Sequence, residues 1–477
     1  MSFDRTKIET NLGIYPSTWQ LVNLADQLEL IIDNRGKTPK KSDKGIPSLS
    51  AKSVKMGRID YDKAYFVSEQ TYKKFMVRGI PQIGDVLLTT EAPLGCVARL
   101  DRDNVCLAQR IITLRGKKGV LDNDYLRLYL SSKVGQHELT ARASGSTVQG
   151  IKRSEFSKIE IVLPPFEEQK NIARIINDLD KKIDINLGIN SDLEELLETI
   201  FKSWFINFDP TRAKSAAKAS GRNIENAAIE VIYGKSLKHF DSTDIEKQVN
   251  VKVISALFSE KLVESECGEI PDDWEEKALG EYIDVKHGYP FQSNFFSEVA
   301  TNDILLTPGN FKIGGGLKYE KLKYYSGPMP EDYILKPNDL LVTMTDLSKQ
   351  SDTLGLPALV YEIGDYNFLH NQRLGKVVAT NGELRQYFLY FLFKSYRYRC
   401  QIVGGATGTT VKHTAPRRIL EFVHPFNAEL IAIFDSIACS LFSKIGKNIN
   451  NNETLTQIRS LILPKLLSGE LNLSTDA

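Results

Sequence analysis

The chain has 477 residues, which is more than one hydrophobic core normally serves, so two or more domains are expected. Its 42% hydrophobic and 25% charged residues are typical of a soluble protein, and a formal net charge of +1 gives no global sign of a polyanionic partner. The five cysteines are scattered without metal-ligand spacing, the N-terminus has no apolar signal core, and no apolar run approaches ~18 residues. These features predict a cytoplasmic protein with free thiols, no metal site and no membrane segment.

The sequence repeats itself in order. Pro16-Ser17-Thr18-Trp19 returns as Pro271-Asp272-Asp273-Trp274, 255 positions later. Four further matches follow at spacings of 254 to 263: Gly84–Thr89 with Asn338–Thr343, Gln109-Arg110 with Gln372-Arg373, Ser146–Val148 with Thr409–Val411, and Pro165-Phe166 with Pro425-Phe426. Solenoid units are only ~20–50 residues long. The sequence therefore predicts a duplicated domain that performs one act at two places.

The first repeat contains a basic stretch. Between Asn34 and Arg58 there are eight Lys and Arg residues against one acid, Asp43. Cations in a loop punctuated by Gly and Pro suit phosphate neutralisation, while Asn and Arg suit base edges. The candidates for DNA contact here are Asn34, Arg35, Lys37, Lys40 and Lys41. A solvated charged loop is the alternative interpretation.

Short apolar runs between turn residues predict strands, and longer periodic runs predict helices. Strands are expected at Asp85–Thr89, Ile111–Leu114, Ile159–Leu163, Leu340–Thr343 and Leu374–Val378, and helices at Tyr125–Leu130 and Leu384–Phe393. The globular parts are therefore expected to be of mixed α/β (α+β) class.

A polar, Gly-rich segment precedes the last strand of each repeat, at Ser144–Arg153 and at Ala406–His413. Small hydroxyl residues with exposed backbone amides suit close approach to a sugar-phosphate chain. The candidates are Ser146, Thr147, Lys152 and Arg153 in the first repeat, and Thr409, Thr410, Lys412 and His413 in the second. A tight turn explains the pattern equally well.

The second repeat also interleaves cations with tyrosine. Lys318, Tyr319, Lys321 and Lys323 fall within one short run, which suits phosphate contact and base stacking. Residues of this kind are as often surface cover on strands and helices.

Each repeat ends in a long helical stretch with heptad spacing, expected at residues 166–207 and 426–467. Both stripes are apolar at their ends and polar at their middles, through Asn186 and Asn190 in one and Lys444, Asn448 and Asn451 in the other. Antiparallel pairing aligns the polar middles, and buried asparagines fix register. We therefore expect an antiparallel coiled coil, with two unrelated amphipathic helices as the alternative.

A search for catalytic motifs finds none. Leu163-Pro164-Pro165-Phe166 is similar to the loop of amino-methyltransferases, but Leu replaces the polar residue that would bond the target amino group. Six dispersed histidines give no zinc spacing, and no nucleophile elbow is present. The pattern favours a reader over an enzyme, with no catalytic residue, metal or cofactor of its own.

The order of these segments resembles the DNA-specificity (S) subunit of type I restriction-modification enzymes. The resemblance rests on Gly13–Trp19, Gly145–Val148, Leu163–Gln169 running into a long helix, Ser203–Lys214, Gly268–Trp274 and Leu463–Leu471. It covers nearly the whole chain. The second copy departs from the pattern at His424–Glu429, which lacks the double proline and the glutamine.

The resemblance implies two target recognition domains, each reading one half of a bipartite double-stranded DNA site, with the helices as a spacer. It implies docking of two methyltransferase subunits and of restriction/translocase subunits, which supply S-adenosylmethionine, ATP and Mg chemistry. The expected divisions are 1–165 and 268–425 for the two recognition domains, 166–207 and 426–467 for the spacer helices, 208–267 for a linker with weak helices, and 468–477 for a tail.

Two other classes remain open on the sequence. A stand-alone DNA methyltransferase or nuclease would carry its own reader, and a coiled-coil scaffold would bind only protein. The first is disfavoured by the missing methyl-donor glycine motif, and the second by two large, divergent globular regions.

Overall fold

A computed structural model describes residues 7–34, 36–145, 148–242, 244–346, 348, 350–408 and 411–471. The chain divides into two compact units: unit 1 lies within residues 1–183 and 455–477, and unit 2 within residues 184–454. None of the described helices is long and apolar enough to cross a membrane.

Unit 1 is built mainly of short strands with four short helices. The strands are β1 Lys7–Thr10, β2 Gly13–Pro16, β3 Gln20–Asn23, β4 Leu28–Asp33, β5 Ile46–Leu49, β6 Val54–Lys55, β7 Arg58–Ile59, β8 Tyr65–Val67, β9 Val86–Thr90, β10 Leu94–Arg99, β11 Cys106–Leu107, β12 Ile111–Gly116 and β13 Glu160–Leu163. The helices are α1 Glu69–Phe75, α2 Asn123–Ser131, α3 Lys133–Ala141 and α4 Arg153–Phe156, followed by the long α5 Phe166–Phe205.

After α5 the chain forms helices α6 Asp209–Ala219, α7 Ile224–Tyr233, α8 Leu237–Phe240 and α9 Ile245–Ala256. The strands of the second repeat follow as β14 Leu262–Ser265, β15 Gly268–Pro271, β16 Glu275–Ala278, β17 Ile283–His287, β18 Phe296–Ser297, β19 Asp303–Leu306, β20 Lys323–Tyr325, β21 Leu340–Thr343, β22 Thr345–Asp346, β23 Pro357–Leu359, β24 Asn367–His370, β25 Leu374–Ala379, β26 Lys412–His413 and β27 Val423–Phe426. The helices among and after them are α10 Gln386–Lys394, α11 Tyr396–Gly404, α12 Pro416–Leu420 and the long α13 Ala428–Leu467.

The two units share one strand plan. Unit 1 has an antiparallel sheet in the order β10-β9-β12-β4, and unit 2 has the matching order β23-β21-β25-β17. Each unit has a second sheet, β11-β5-β8 in unit 1 and β18-β20-β19-β24 in unit 2. One pair of strands in each of these sheets is parallel, β11 with β5 and β24 with β19. The strand before each long helix pairs back to the start of its repeat, β13 with β3 and β27 with β16. The mixed class and the duplication are confirmed. The registers of β13 and β27 align Leu163 with Phe426, so the expected match of Pro165-Phe166 with Pro425-Phe426 is wrong.

In these two matching sheets the central strands β9 and β21 are buried along their whole length, because both faces are covered. In β9, Val86 and Leu88 face the core that contains Trp19, Tyr125 and α5, while Leu87 faces a second core under the smaller sheet. In β21, Leu340 and Val342 alternate with Leu341 in the same way. Alternation of side chains along a strand produces these two cores.

The long helices end close to the expected positions. Helix α5 stops at Phe205, two residues before the expected Asn207, where Phe208 takes a left-handed conformation with φ +53°. Helix α13 begins at Ala428 because the Asn427 side chain accepts the Leu430 N–H at 3.0 Å, which is an N-cap contact. Both helices have 40 residues.

The two long helices run antiparallel. In unit 2, Asn190 contacts Asn448 and Asn186 contacts Asn452, so the residue number rises along one helix as it falls along the other. In unit 1, Asp180 accepts the Arg459 guanidinium at 2.7 Å, which continues that order. The predicted antiparallel pairing is therefore confirmed within each unit.

Candidate nucleic-acid interface and helix pair

The basic stretch of unit 1 begins where β4 ends. Lys37, Lys40 and Lys41 are exposed, and the Lys41 ammonium lies 5.0 Å from the centre of the Tyr65 ring. Asn34 is only 2% exposed, and its amide donates to the Leu107 carbonyl at 2.9 Å. The prediction that Asn34 reads a base edge is wrong for this conformation, because its amide serves the fold. Arg35 lies outside the described residues.

The Gly-rich segment of unit 1 forms a hairpin, which we call hairpin 1 (residues 144–150). Ser144 and Gly150 exchange both backbone hydrogen bonds, at 2.9 and 3.0 Å. Gly145 has φ +113°, and a Cβ there would lie 2.3 Å from the Val148 carbonyl oxygen. Only glycine suits such a position. Ser146 and Thr147 lie outside the described residues.

Two exposed cations follow hairpin 1. Lys152 and Arg153 are both exposed, and an Arg153 Nη1 lies 3.8 Å from Asp33 Oδ2. Asp33 immediately precedes the basic stretch. The structure therefore brings the predicted cations at 152–153 beside the start of the predicted cations at 34–41.

Unit 2 repeats this device as hairpin 2 (residues 407–413). Thr407 and His413 exchange both backbone hydrogen bonds, at 3.0 and 2.9 Å. Gly408 has φ +93°, with a Cβ position 2.1 Å from the Val411 carbonyl oxygen. His413 is exposed and its Nδ1 lies 3.1 Å from Thr345 Oγ1, while Lys412 is half-buried. Thr409 and Thr410 lie outside the described residues.

The interleaved stretch of unit 2 is divided between surface and core. Lys318, Lys321 and Lys323 are exposed, and the Lys323 ammonium lies 5.4 Å from the Phe296 ring centre. Tyr319 instead packs on Phe368 at 5.9 Å between ring centres, and burial raises the pKa of its hydroxyl. Because the Tyr319 ring is committed to the core, the prediction that it stacks on bases is wrong here. Lys323 lies on β20, which pairs with β18 and β19 and not with the strands next to hairpin 2.

The repeated Gln-Arg dipeptide is a part of the site that the sequence analysis used only as a marker of duplication. In unit 1, Thr90 donates its N–H to the Arg110 carbonyl at 2.9 Å and accepts the Ile151 N–H at 3.0 Å. In unit 2, Met344 donates to the Arg373 carbonyl and accepts from Thr414, both at 3.1 Å. One residue, at the end of β9 in unit 1 and directly after β21 in unit 2, thus connects each arginine to its hairpin. The signal in the sequence was the recurrence of Gln-Arg at the hairpin's own spacing of 263.

The charge on this arginine differs between the units. Arg110 pairs with Glu91 at 2.7 Å between Nε and Oε1. Arg373 is exposed, and no carboxylate of the described chain lies within 4.0 Å of its guanidinium. The same backbone frame therefore presents a neutralised cation in unit 1 and an open one in unit 2.

The polar middle of the helix pair is built from asparagines. Asn448 Nδ2 donates to Asn190 Oδ1 at 2.8 Å, and Asn186 Nδ2 donates to Asn452 Oδ1 at 2.8 Å. Asn186 and Asn448 are 1% and 3% exposed. Asn186, Asn190 and Asn448 thus meet across the helix pair, but Asn190 bonds Asn448 and Asn186 bonds Asn452. Lys444 and Asn451 are exposed, so their predicted part in the register is wrong. An ideal helix drifts ~20° per heptad from a strict seven-residue repeat, so the inward row passes to the buried Ile445 and the half-buried Asn452.

The unit 2 half of α5 also carries exposed apolar residues. Ile185, Ile189 and Leu196 are 56%, 36% and 49% exposed, and their spacing places them on one face of the helix. Within the described part of the chain no group of three metal-ligating side chains is found.

Comparison with known proteins agrees with this architecture. Residues 16–195 match the model of the type I restriction modification DNA specificity domain. The chain is 27% identical over 400 residues to the type I restriction enzyme HindI specificity subunit of Haemophilus influenzae, covering 78% of this chain and 82% of that protein. It is 24% identical over 474 residues to the MjaIX specificity subunit of Methanocaldococcus jannaschii, covering 97% and 96%.

The fold is also found among solved structures. The S subunit of a type I restriction-modification system from M. genitalium superposes with a TM-score of 0.54, at 15% identity, over 97% of this chain and 98% of that one. At this identity the likeness is one of fold. Residues 16–195 therefore carry a type I restriction modification DNA specificity domain. Along most of its length the chain is similar to the specificity subunits of type I restriction-modification enzymes.

Proposed function

We propose that each repeat reads one half of a bipartite, asymmetric double-stranded DNA sequence. The observation that carries the proposal is the pair of hairpins, which have one backbone geometry and different surroundings. Elements that hold the phosphate backbone need the same geometry at both half-sites, whereas base contacts must differ. Exposed Lys152 and Arg153 beside hairpin 1, and His413 at hairpin 2, support the first role.

The regions that differ between the repeats support the second role. In unit 1 the turn between β9 and β10 is three residues long, Glu91-Ala92-Pro93. In unit 2 the corresponding connection runs from Met344 to Leu356 and contains β22, with Asp346 accepting the N–H groups of Ser348, Thr353 and Leu354. A loop of different length beside an equivalent hairpin presents different side chains to the same groove, so the two half-sites should differ in sequence.

The helix pair is the proposed spacer. A helix of 40 residues is about 60 Å long at ~1.5 Å per residue, which exceeds one turn of B-DNA at ~34 Å. Paired asparagines fix its register, because a slipped pairing leaves buried amides unsatisfied. Seven residues added to each helix would lengthen the spacer by about 10 Å, and we expect the gap in the DNA site to grow by ~3 base pairs.

The exposed face of α5 at Ile185, Ile189 and Leu196 is the proposed docking surface for methyltransferase subunits. Those partners would supply S-adenosylmethionine chemistry, and restriction/translocase subunits would supply ATP and Mg chemistry. Replacement of the three residues by serine should abolish co-purification with the methyltransferase. Ile313→Ser is the matched control, since Ile313 is 77% exposed and belongs to the loop between β19 and β20 rather than to a long helix.

Methylation mapping tests the reading of DNA. A plasmid library is exposed to the full chain and its cognate methyltransferase, with one repeat at a time exchanged for that of another family member. The expected result is a split motif in which each exchange alters one half only. Methylation that ignores the exchange would contradict the proposal and favour a scaffold, and methylation by the chain alone would favour a stand-alone enzyme.

A further inference from the structure

Unit 2 contains a cavity of about 590 Å³ outside the hairpin and the docking face. It lies between the end of α5, helix α10 and strand β27. Its floor is aromatic, formed by Phe201, Phe205, Phe388, Phe391 and Phe422. Sites for small molecules typically have volumes of ~300–1,000 Å³ and apolar linings with a few placed polar groups.

Most cations at the rim are already matched by acids. Lys202 pairs with Glu198 at 2.7 Å, and Lys394 reaches the same carboxylate at 3.2 Å. Arg212 pairs with Glu269 at 2.9 Å. These pairs fix the shape of the rim and leave little charge for a ligand.

Arg397 is the exception. Its Nη2 lies 3.0 Å from the Cys267 sulfur, and its guanidinium carbon lies 5.5 Å from the centre of the Phe422 ring. No carboxylate of the described residues lies within 4.0 Å of it. Burial, together with a hydrogen bond to Glu276, raises the pKa of the Cys267 thiol to about 11, so the sulfur stays uncharged at neutral pH. The Cys267 contact therefore leaves the guanidinium charge in place. Arg397 also contributes to lowering the pKa of the exposed Glu276, but the two groups form no ion pair within 4.0 Å.

The remaining polar wall adds no charge at neutral pH. His424 is 2% exposed, and burial lowers its pKa to about 4, so the imidazole is neutral. Six phenylalanines line the cavity, the five of the floor and Phe208, together with one cation, Arg397, that has no carboxylate within 4.0 Å among the described residues.

The equivalent positions of unit 1 are apolar. The register of β1 with β2 and of β14 with β15 aligns Leu12 with Cys267 and Ile14 with Glu269. The serine N-caps of α3 and α11 align Val134 with Arg397, and the strands before the long helices align Ile161 with His424. The shared frame does not need these polar residues, so they are specific to unit 2.

We propose that this cavity binds a small aromatic anion, with its ring against the phenylalanine floor and its negative charge paired with Arg397. Aromatic rings gain from offset and edge contacts with phenylalanine. A guanidinium over a partly desolvated apolar surface forms a strong, charge-assisted pair with an anion. The single unmatched cation selects ligands with one such group.

The test is a fluorescence titration of the full chain with two probes of similar shape. Anilinonaphthalene sulfonate carries the anion, and phenylnaphthylamine is its uncharged counterpart. We expect saturable binding of the anionic probe at one site per chain. Arg397→Gln should weaken the anionic probe by ~10-fold or more and leave the uncharged probe unchanged, as expected for loss of a charged hydrogen bond.

Two further variants locate the site. Arg417→Gln removes an exposed arginine of the same unit outside the cavity and should leave both titrations unchanged. Ile206→Trp narrows the mouth, since Ile206 is 44% exposed and lines the cavity, and should weaken both probes. Equal affinity of Arg397→Gln and the parent chain for the anion would overturn the proposal, as would an Ile206→Trp chain that binds both probes normally.

Discussion

Hairpins 1 and 2 have the same backbone and different chemistry. Each is closed by the same pair of hydrogen bonds, each needs a glycine at its first turn, and each is tied through one residue to an arginine. Beside hairpin 1 that arginine is neutralised by Glu91, and beside hairpin 2 it has no acid partner within the described chain. The two repeats share the contacts that fix the backbone conformation of the hairpin, whereas the side chains around it differ.

The largest expected effect concerns a buried acid that unit 2 has and unit 1 lacks. Asp435 is 6% exposed and accepts the N–H groups of Tyr387 and Phe388 with one oxygen, Oδ1, at 2.9 and 3.0 Å. At the start of the corresponding helix of unit 1, α2, the Asp122 N–H is instead accepted by a neutral side chain, Gln169 Oε1, at 2.9 Å. Burial raises the pKa of Asp435 to about 6. Because the folded pKa lies above the unfolded one, the free energy of unfolding should fall as pH rises from ~4 to ~6.

Asp435→Asn keeps the accepting oxygen and removes the charge. We expect the variant to be more stable than the parent at pH 8, by up to ~3 kcal/mol, with the difference vanishing near pH 4. Urea unfolding of the full chain at several pH values measures it. His370 and His424, whose pKa values burial lowers to about 4, act in the opposite sense in both proteins and cancel in the comparison. An exposed control, Asp365→Asn, should change little; a variant less stable than the parent at pH 8 would refute the role given to Asp435.

A medium effect on selection of the half-sites is expected when the backbone shared by the two hairpins is disrupted. Gly145→Ala and Gly408→Ala would each place a Cβ against a carbonyl oxygen in a left-handed backbone. Strain of about 1–3 kcal/mol should open the hairpin concerned. In the methylation assay each variant should weaken selection at its own half-site only.

Gly404→Ala is the control for the two hairpin variants, since a Cβ there meets no atom within 4 Å. If both glycine variants affect the same half-site, or neither affects any, the hairpins do not have the equivalent roles assigned to them.

The smallest effect should follow from making unit 1 resemble unit 2. Glu91→Gln removes the acid next to Arg110, and since both side chains are nearly half exposed, stability should change by less than ~1 kcal/mol. Binding of DNA should become stronger and its salt dependence steeper, by about one unit of the log–log slope, because one more cation can meet a phosphate. Titrations at several salt concentrations measure the slope. Glu155→Gln, from the exposed Lys158 pair, is the control, and an unchanged slope for Glu91→Gln would place Arg110 away from the DNA backbone.

Many of the strands and helices could be predicted from the sequence because they depend on local patterns of apolar residues. The strands β9, β12 and β21 and both long helices fall at their predicted places within a few residues. The presence of asparagines at the helix contact could also be predicted, since polar residues within an apolar heptad pattern lower the stability of the pair.

What the sequence could not provide was the direction of individual side chains. Asn34 and Tyr319 stand in exposed-looking, basic stretches, yet tertiary packing turns both inward. Lys444 and Asn451 fit a strict heptad, yet the drift of a 3.6-residue helix moves them to the surface. The repeat spacing marks the Gln-Arg pair, but it does not reveal the hydrogen bonds that connect the Arg110 carbonyl through Thr90 to Ile151.

Because unit 1 is formed from two separate stretches of the chain, it is expected to complete its folding late during translation. Its core around Trp19 includes Leu466 and Leu467, which are separated from residue 183 by the whole of unit 2. Synthesis proceeds at ~5–20 residues per second, so roughly 280 residues of delay correspond to about 15–60 s. During that interval unit 2, a contiguous stretch, can complete its core while unit 1 waits for its closing helix. Unit 1, which begins to be translated first, is thus expected to complete its hydrophobic core after unit 2.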